Sequence, residues 1–347
     1  MTIDLSIAYH SATDYSSWER GFLAGDRPDE MPYGLQAIAI PNHKTRLSPF
    51  GLPPQRKRDL ARTVLRSTRL GNNASSGNTE ILFAWDEVSH FQAVNERRWS
   101  GSSVSGLIWA TDEPKSLRAR SQRHLAARYL PSAAAIWVLS QAQVEPAREW
   151  LGRNCPPISF IPFGINPSYF APHVMPIRHR VLSIGNDRDR DLATLFGAIE
   201  IIRRARPETE FLIQSPQNVK PPAGVRLLPR LTFSQLRDAY ASSTLLLTAT
   251  KHNLHVSGMT AALEAAATGR PVVMTHSPGL DDYVRHEETG LVTPPGDPAR
   301  LAEAAIAVLE DAELADRLGN AGRRNIEDNH SVASMTSAFA NMLGTIT

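Results

Sequence analysis

SGMTAALEAAATGRPVVMTHSPGLDD, residues 257–282, reads in turn as loop, helix, strand and loop. Ser257-Gly258 closes an irregular run. From Thr260 to Ala267 the residues are compatible with a helix, and no Gly or Pro interrupts them. Gly269 supplies a stop, and Pro271 keeps the helix from resuming. Residues 271–275, Pro-Val-Val-Met-Thr, form a short apolar run between turn residues, which predicts a parallel strand covered on both faces. Ser277-Pro-Gly279 then turns the chain out of that strand. Gly258 lets the backbone approach a ligand closely, and the helix behind it points free amides and a positive dipole end at whatever sits there. Glu264 lies about one turn in, flanked by Leu263 and Ala265. A carboxylate there either accepts two hydrogen bonds from a sugar diol or simply favours the helix dipole.

Upstream, residues 180–185 predict a strand running into Gly185, then a polar loop to Asp191 and a helix over 192–204. Residues 209–213, 225–228 and 244–249 predict further strands, with a helix over 232–241 capped by Thr232. In the N-terminal half, strands are expected at 5–9, 35–40, 81–84, 107–109, 135–139 and 158–161, separated by helical segments. That alternation predicts βαβ units and parallel sheets. Helices are expected over 298–309, 313–325 and 332–343.

The 347 residues fit two domains of ordinary size. Cys155 is the one cysteine, so no internal disulfide forms. No zinc-ligand spacing, P-loop or Gly-x-Gly-x-x-Gly followed by an acid occurs. No apolar run approaches the length of a membrane span, and the N-terminus lacks a basic region followed by an apolar one, so no signal peptide is expected. A reducing cytoplasm is the simplest setting. The net charge of +2 decides nothing, but two basic segments stand out. Residues 44–70 run from Lys44 to Arg69 with only Asp59 opposing, and Leu60, Val64 and Leu65 form a candidate apolar stripe. Residues 115–128 carry Lys115, Arg118, Arg120, Arg123 and Arg128 with no acid. Either these are solvated helix faces or they attract an anionic partner, such as the inner membrane face or a phosphate-bearing acceptor. Nucleic acid is not expected, because stacking aromatics do not interleave the charges.

The stretch Leu263-Glu264-Ala-Ala-Ala-Thr-Gly269-Arg-Pro271-Val-Val resembles the donor-binding segment of the retaining family 4 glycosyltransferases (glycosyl transferases group 1), which have the GT-B fold. The family's form is Leu-Glu-Ala-Met-Ala-x-Gly-x-Pro-Val-Val. Gly290-Leu-Val-Thr-Pro-Pro-Gly-Asp297 resembles the family's Gly-Leu-Leu-Val-Pro-Pro-Gly-Asp turn, and Ile161-Pro-Phe-Gly-Ile-Asn166 with Phe170-Ala-Pro172 resembles its interdomain link. Residues 130–330 carry the resemblance. There are departures. The family's first acid falls at Val256, or at His255 with a one-residue shift. Its Gly-Gly loop after the first strand has no counterpart among residues 10–18, and its His-Asp pair is Thr111-Asp112.

The resemblance implies an α/β architecture of two Rossmann-like domains facing a central cleft. Residues 1–172 would bind the acceptor and 173–330 the nucleotide sugar, with 331–347 crossing back to the first domain. It implies transfer of a sugar from a nucleotide-diphosphate sugar to a glycan, lipid-linked or small-molecule acceptor, with retention. A degenerate nucleotide-sugar-binding module and a nucleotide-sugar 2-epimerase are the alternatives. The implied catalytic residues are Arg190 at the diphosphate, Glu264 at the ribose and Asp112 at the reaction centre. Gly185, Asn186, Arg188, Ser257, Gly258, Met259, Thr260 and Gly279 make up the donor-binding set. No metal or other cofactor is required if Arg and the helix dipole supply the positive charge.

Overall fold

A computed structural model describes residues 2–10, 14–52, 80–97, 99, 101–215 and 219–347. The chain divides into two compact units. One comprises Met1–Gly21, Glu30–Ile161 and Met335–Thr347, and the other Phe22–Asp29 and Pro162–Ser334.

The first unit is built on β1 (Thr2–His10), β2 (Lys44–Leu52), β3 (Glu80–Ala84), β4 (Ser102–Gly106), β5 (Ala135–Val138) and β6 (Ile158–Phe160). They form a six-stranded parallel sheet in the order β2-β1-β3-β4-β5-β6. Leu82, Phe83, Val104, Ile136 and Trp137 are fully buried, as central parallel strands require. In the last helix, Val332–Gly344, Phe339 packs edge-on against Phe83 and Trp137, with ring centroids at 5.0 and 4.9 Å.

Two expectations for this unit need correction. Residues 35–40 are not a strand. A 3-10 turn covers Pro32–Ala37, with Tyr33 and Gly34 at positive φ, and the strand beside β1 is Lys44–Leu52. Leu35, Ile38 and Ile40 are buried all the same, so their alternation reports a covered face without ladder pairing. The strand expected at 107–109 lies earlier, at Ser102–Gly106. The backbone amides of Ile108 and Trp109 donate instead to the Glu87 carboxylate, both at 2.9 Å, which takes them out of the ladder. Of the first basic segment, Lys44 and Arg46 lie on β2. Residues 56–69 and the polar loop 72–78 fall outside the described residues.

The second unit is built on β7 (Arg180–Ser183), β8 (Glu210–Gln214), β9 (Val225–Leu228), β10 (Leu245–Thr248), β11 (Val272–Thr275) and β12 (Leu291–Thr293). This six-stranded sheet is also parallel, in the order β12-β11-β10-β7-β8-β9. Val181, Leu195, Ile199, Ile213, Leu247, Val273 and Leu301 fill one core cluster. Thr232 and Gln235 close a capping box on the helix Phe233–Ala241. Strand order reverses between β7 and β10. In open α/β sheets the crevice beyond the C-terminal ends of two such strands is where ligands bind.

Candidate functional site

The loop after β7, residues 185–191, and the loop after β10, residues 249–258, meet at that reversal. Asp191 N–H donates to the Ala249 carbonyl at 2.9 Å, and Lys251 N–H to that of Asp189 at 2.7 Å. Asp191 also caps the helix Leu192–Ala205 through the amide and hydroxyl of Thr194. Gly185 has φ +128, and a Cβ there would meet nothing within 4 Å, so its conformation rather than crowding calls for glycine.

Side chains of the first loop differ in exposure. Asn186 and Arg188 are exposed, while Asp189 and Arg190 are buried. Arg188 pairs with Asp189 at 3.2 Å. Arg190 donates from Nη1 to the carbonyls of Gly185 and Gln214, and from Nη2 to Ser183 Oγ. Burial lowers its pKa to about 10. The diphosphate role expected for Arg190 therefore needs revision: its guanidinium ties together the ends of β7 and β8, and Arg188 is the outward cation of this loop.

In the second loop, Asn253 Oδ1 accepts from Ser257 N–H at 2.8 Å, and its Nδ2 donates to the Lys251 carbonyl at 2.7 Å. This clamp holds Val256 at φ +52, a left-handed conformation that β-branched residues seldom adopt. His255 is buried, with Nε2 3.2 Å from each carboxylate oxygen of Asp187. Burial pushes the Asp187 carboxyl up, but the hydrogen bond and charge of His255 outweigh it and bring the pKa to about 2. So at Val256 and His255, the positions noted for lacking an acid, a carboxylate stands alongside, contributed by the other loop.

Gly258 starts the helix Met259–Ala267 at φ +86, with no side chain capping its first amides. A Cβ at Gly258 would lie 3.0 Å from Thr248 Cγ2. Ser257 and Met259 are buried, and Thr260 is exposed. A helix start left open at a sheet's ligand-binding edge suits an anion. Glu264 is 6% exposed, and its Oε2 accepts from the Tyr240 hydroxyl at 2.9 Å. Burial raises its pKa to about 7, although the Tyr240 hydrogen bond works the other way. Gly279 has φ +82 and opens the 3-10 turn Leu280–Asp282 after β11.

Asp112 stands in the first unit and the other candidates in the second. It is 9% exposed, in a loop fixed by Glu87 and by Gln143, whose Nε2 donates to the Ile108 carbonyl and Thr111 Oγ1 at 3.0 and 2.9 Å. Burial raises the pKa of Glu87 to about 7. Sequence inspection missed Tyr240, Glu87 and the His255–Asp187 pair, since each acts on a partner distant in the chain.

Residues 178–311 match the family described as glycosyl transferases group 1. Over 79 residues the chain is 37% identical to a glycogen synthase of Mycobacterium tuberculosis, covering 23% of this chain and 19% of that one. Over 77 residues it is 30% identical to an N-acetyl-alpha-D-glucosaminyl L-malate synthase of Bacillus anthracis, covering 22% of this chain and 20% of that one. The chain thus spans about a fifth of the length of the curated relatives it matches. Among solved structures, sucrose-phosphate synthase from Thermosynechococcus elongatus has a TM-score of 0.68 at 17% identity, with 99% of each chain covered. Anabaena HepE, solved with UDP-glucose, has a TM-score of 0.68 at 13% identity, covering 99% of this chain and 100% of that one. At these identities the likeness is one of fold: two Rossmann-like halves, as in GT-B glycosyltransferases.

Proposed function

We propose, from a glycosyl transferases group 1 segment carried on a GT-B fold, that this protein transfers a sugar from a nucleoside-diphosphate sugar to an acceptor, with retention at the anomeric carbon. One observation carries the proposal. At the reversal of the second sheet, an uncapped helix start at Gly258 faces the same loop junction as Arg188 and Asn186, with Glu264 six residues further along the helix. The amides after Gly258 and the helix dipole would hold the diphosphate, with Thr260, Asn186 and Arg188 around it. As the sugar–phosphate bond breaks, the leaving group gains charge, so these fixed positive groups act most strongly in the transition state. Arg190 shapes the loop from behind. Glu264 accepts from the ribose, Gly279 leaves room beside the sugar, and Asp112 is the candidate group at the reaction centre. None of these roles needs a metal.

The acceptor is a glycan, a lipid-linked saccharide or a small molecule. The helix Leu117–Tyr129 exposes Leu117, Arg118, Arg120 and Arg128, which suits contact with an anionic membrane surface. No helix among the described residues is long and apolar enough to cross a membrane. The test is a thermal-shift panel of UDP, ADP and GDP, with UDP first because HepE was solved with UDP-glucose. A ligand that binds only the folded state raises Tm, and here at least one diphosphate should do so. A flat response to all of them would reject the donor site. A shift without release of nucleoside diphosphate from any nucleotide sugar would leave a binding module.

A further inference from the structure

Glu264 is gripped from one side. Tyr240, at the end of the helix Phe233–Ala241, is 1% exposed, and its hydroxyl holds Oε2 of Glu264. Tyr240 is itself fixed. Arg270, 1% exposed, donates from Nε to the Tyr240 carbonyl at 3.2 Å and from Nη2 to the Ala241 carbonyl at 2.8 Å. The Tyr240 ring meets Phe170 edge-on, with centroids 6.1 Å apart. No described residue bonds the other oxygen, Oε1, although the side chain keeps some exposure. Helical side chains lean toward the helix N-terminus. Oε1 is therefore carried toward the open start at Gly258, where the diphosphate is proposed to lie. Glu264 lies six residues beyond Gly258, a rise of about 9 Å along the helix axis.

We infer that Tyr240 is a positioning residue for the ribose: by holding Oε2 it leaves Oε1 of Glu264 to bond one of the two ribose hydroxyls, so the site reads that hydroxyl and not the diol as a pair. This rests on the donor-site reading above. It also narrows the expectation that the carboxylate accepts two hydrogen bonds from the diol. Since the tyrosine hydroxyl needs an acceptor in a buried site, Oε2 stays with Tyr240 when the nucleotide arrives.

Calorimetry tests it with UDP, ADP and GDP, each alongside its 2′-deoxy and 3′-deoxy forms. In the native protein, losing one hydroxyl should weaken binding about tenfold or more, and losing the other far less. In Tyr240→Phe the carboxylate turns freely, and the two deoxy forms should bind alike. A purely structural defect would weaken all three ligands together and leave their ratio unchanged. Glu264→Gln supplies a second arm. Its one amide oxygen remains with Tyr240, which aims the NH2 group at the ribose. Adding Tyr240→Phe frees the amide to flip, so the double variant should bind about tenfold tighter than Glu264→Gln alone. Equal binding of the two deoxy forms by the native protein would overturn the inference. So would an unchanged ratio in Tyr240→Phe, or additive loss in the double variant. If the native protein binds no nucleotide at all, the donor-site reading fails and takes the inference with it.

Discussion

Arg190 donates to two carbonyls and a hydroxyl in a buried position, so its removal strands those acceptors. Each buried group left unpaired costs about 1–3 kcal/mol. Arg190→Ala should lower Tm by an amount equivalent to about 3 kcal/mol, and Arg190→Lys should recover little of it, because an ammonium cannot reach three acceptors as a planar fork does. Arg188, more than a third exposed, should behave oppositely. Arg188→Ala, which takes one partner from the buried Asp189, should lower Tm less than Arg190→Ala does, and should lower kcat about 10²–10³-fold, the scale for losing one donor to a developing anion. Denaturation curves and donor turnover on both variants check this pair. If Arg190→Ala keeps native stability and alone loses turnover, the assignments are reversed.

The helix Met259–Ala267 and the loop ahead of it depend on backbone conformation. Gly258→Ala puts a Cβ 3.0 Å from Thr248 Cγ2 at φ +86. It should cost about 1–2 kcal/mol of stability, the penalty of a left-handed residue, and should weaken diphosphate binding as the loop moves. Wild-type affinity in a folded Gly258→Ala variant would mean that the anion sits elsewhere. This helix and the strand behind it were plain in the sequence, because their signals are local: glycines and a proline bracket an Ala-rich run and then a Val-Val-Met run. Residues 35–40 were not, because alternation is shared by strands and by covered irregular chain. Nor were 107–109, where the amides of Ile108 and Trp109 go to a carboxylate 21 and 22 residues away. At the site, the loops and Glu264 were legible. The direction of Arg190 was not, since its acceptors lie at the ends of β7 and β8, nor was the pairing of His255 with Asp187 across 68 residues.

Each unit contains a buried histidine and a buried glutamate whose shifts have opposing effects on stability. In the first, burial lowers His90 from its ordinary 6.5 to about 4 and raises Glu87 from 4.5 to about 7. In the second, burial does the same to His330, to about 4, and to Glu264, to about 7. Below pH 6.5 the unfolded histidine takes up a proton that the folded one refuses, so stability falls on acidification toward 4. Between pH 4.5 and 7 the folded glutamate holds a proton that the unfolded one has released, so stability falls as pH rises. The two slopes oppose each other between pH 4.5 and 6.5, where stability should be nearly level. Glu264→Gln removes one of them, and its stability should fall more steeply on acidification than that of the parent. Urea denaturation at pH 4.5, 5.5 and 6.5 checks this, and parallel profiles for parent and variant would refute it.

For the molecule as a whole, the central claim is that the second unit holds a nucleotide sugar so that its diphosphate can leave. Release of nucleoside diphosphate tests this most directly. The folded protein is incubated with UDP-, ADP- and GDP-sugars and a set of glycan, lipid-linked and small-molecule acceptors, with Arg188→Ala as the control. The expected result is release from at least one donor, stimulated by one acceptor class and slowed about 10²–10³-fold in the control. Firm binding of nucleotide sugar with no release under any acceptor, or release unchanged in Arg188→Ala, would contradict it.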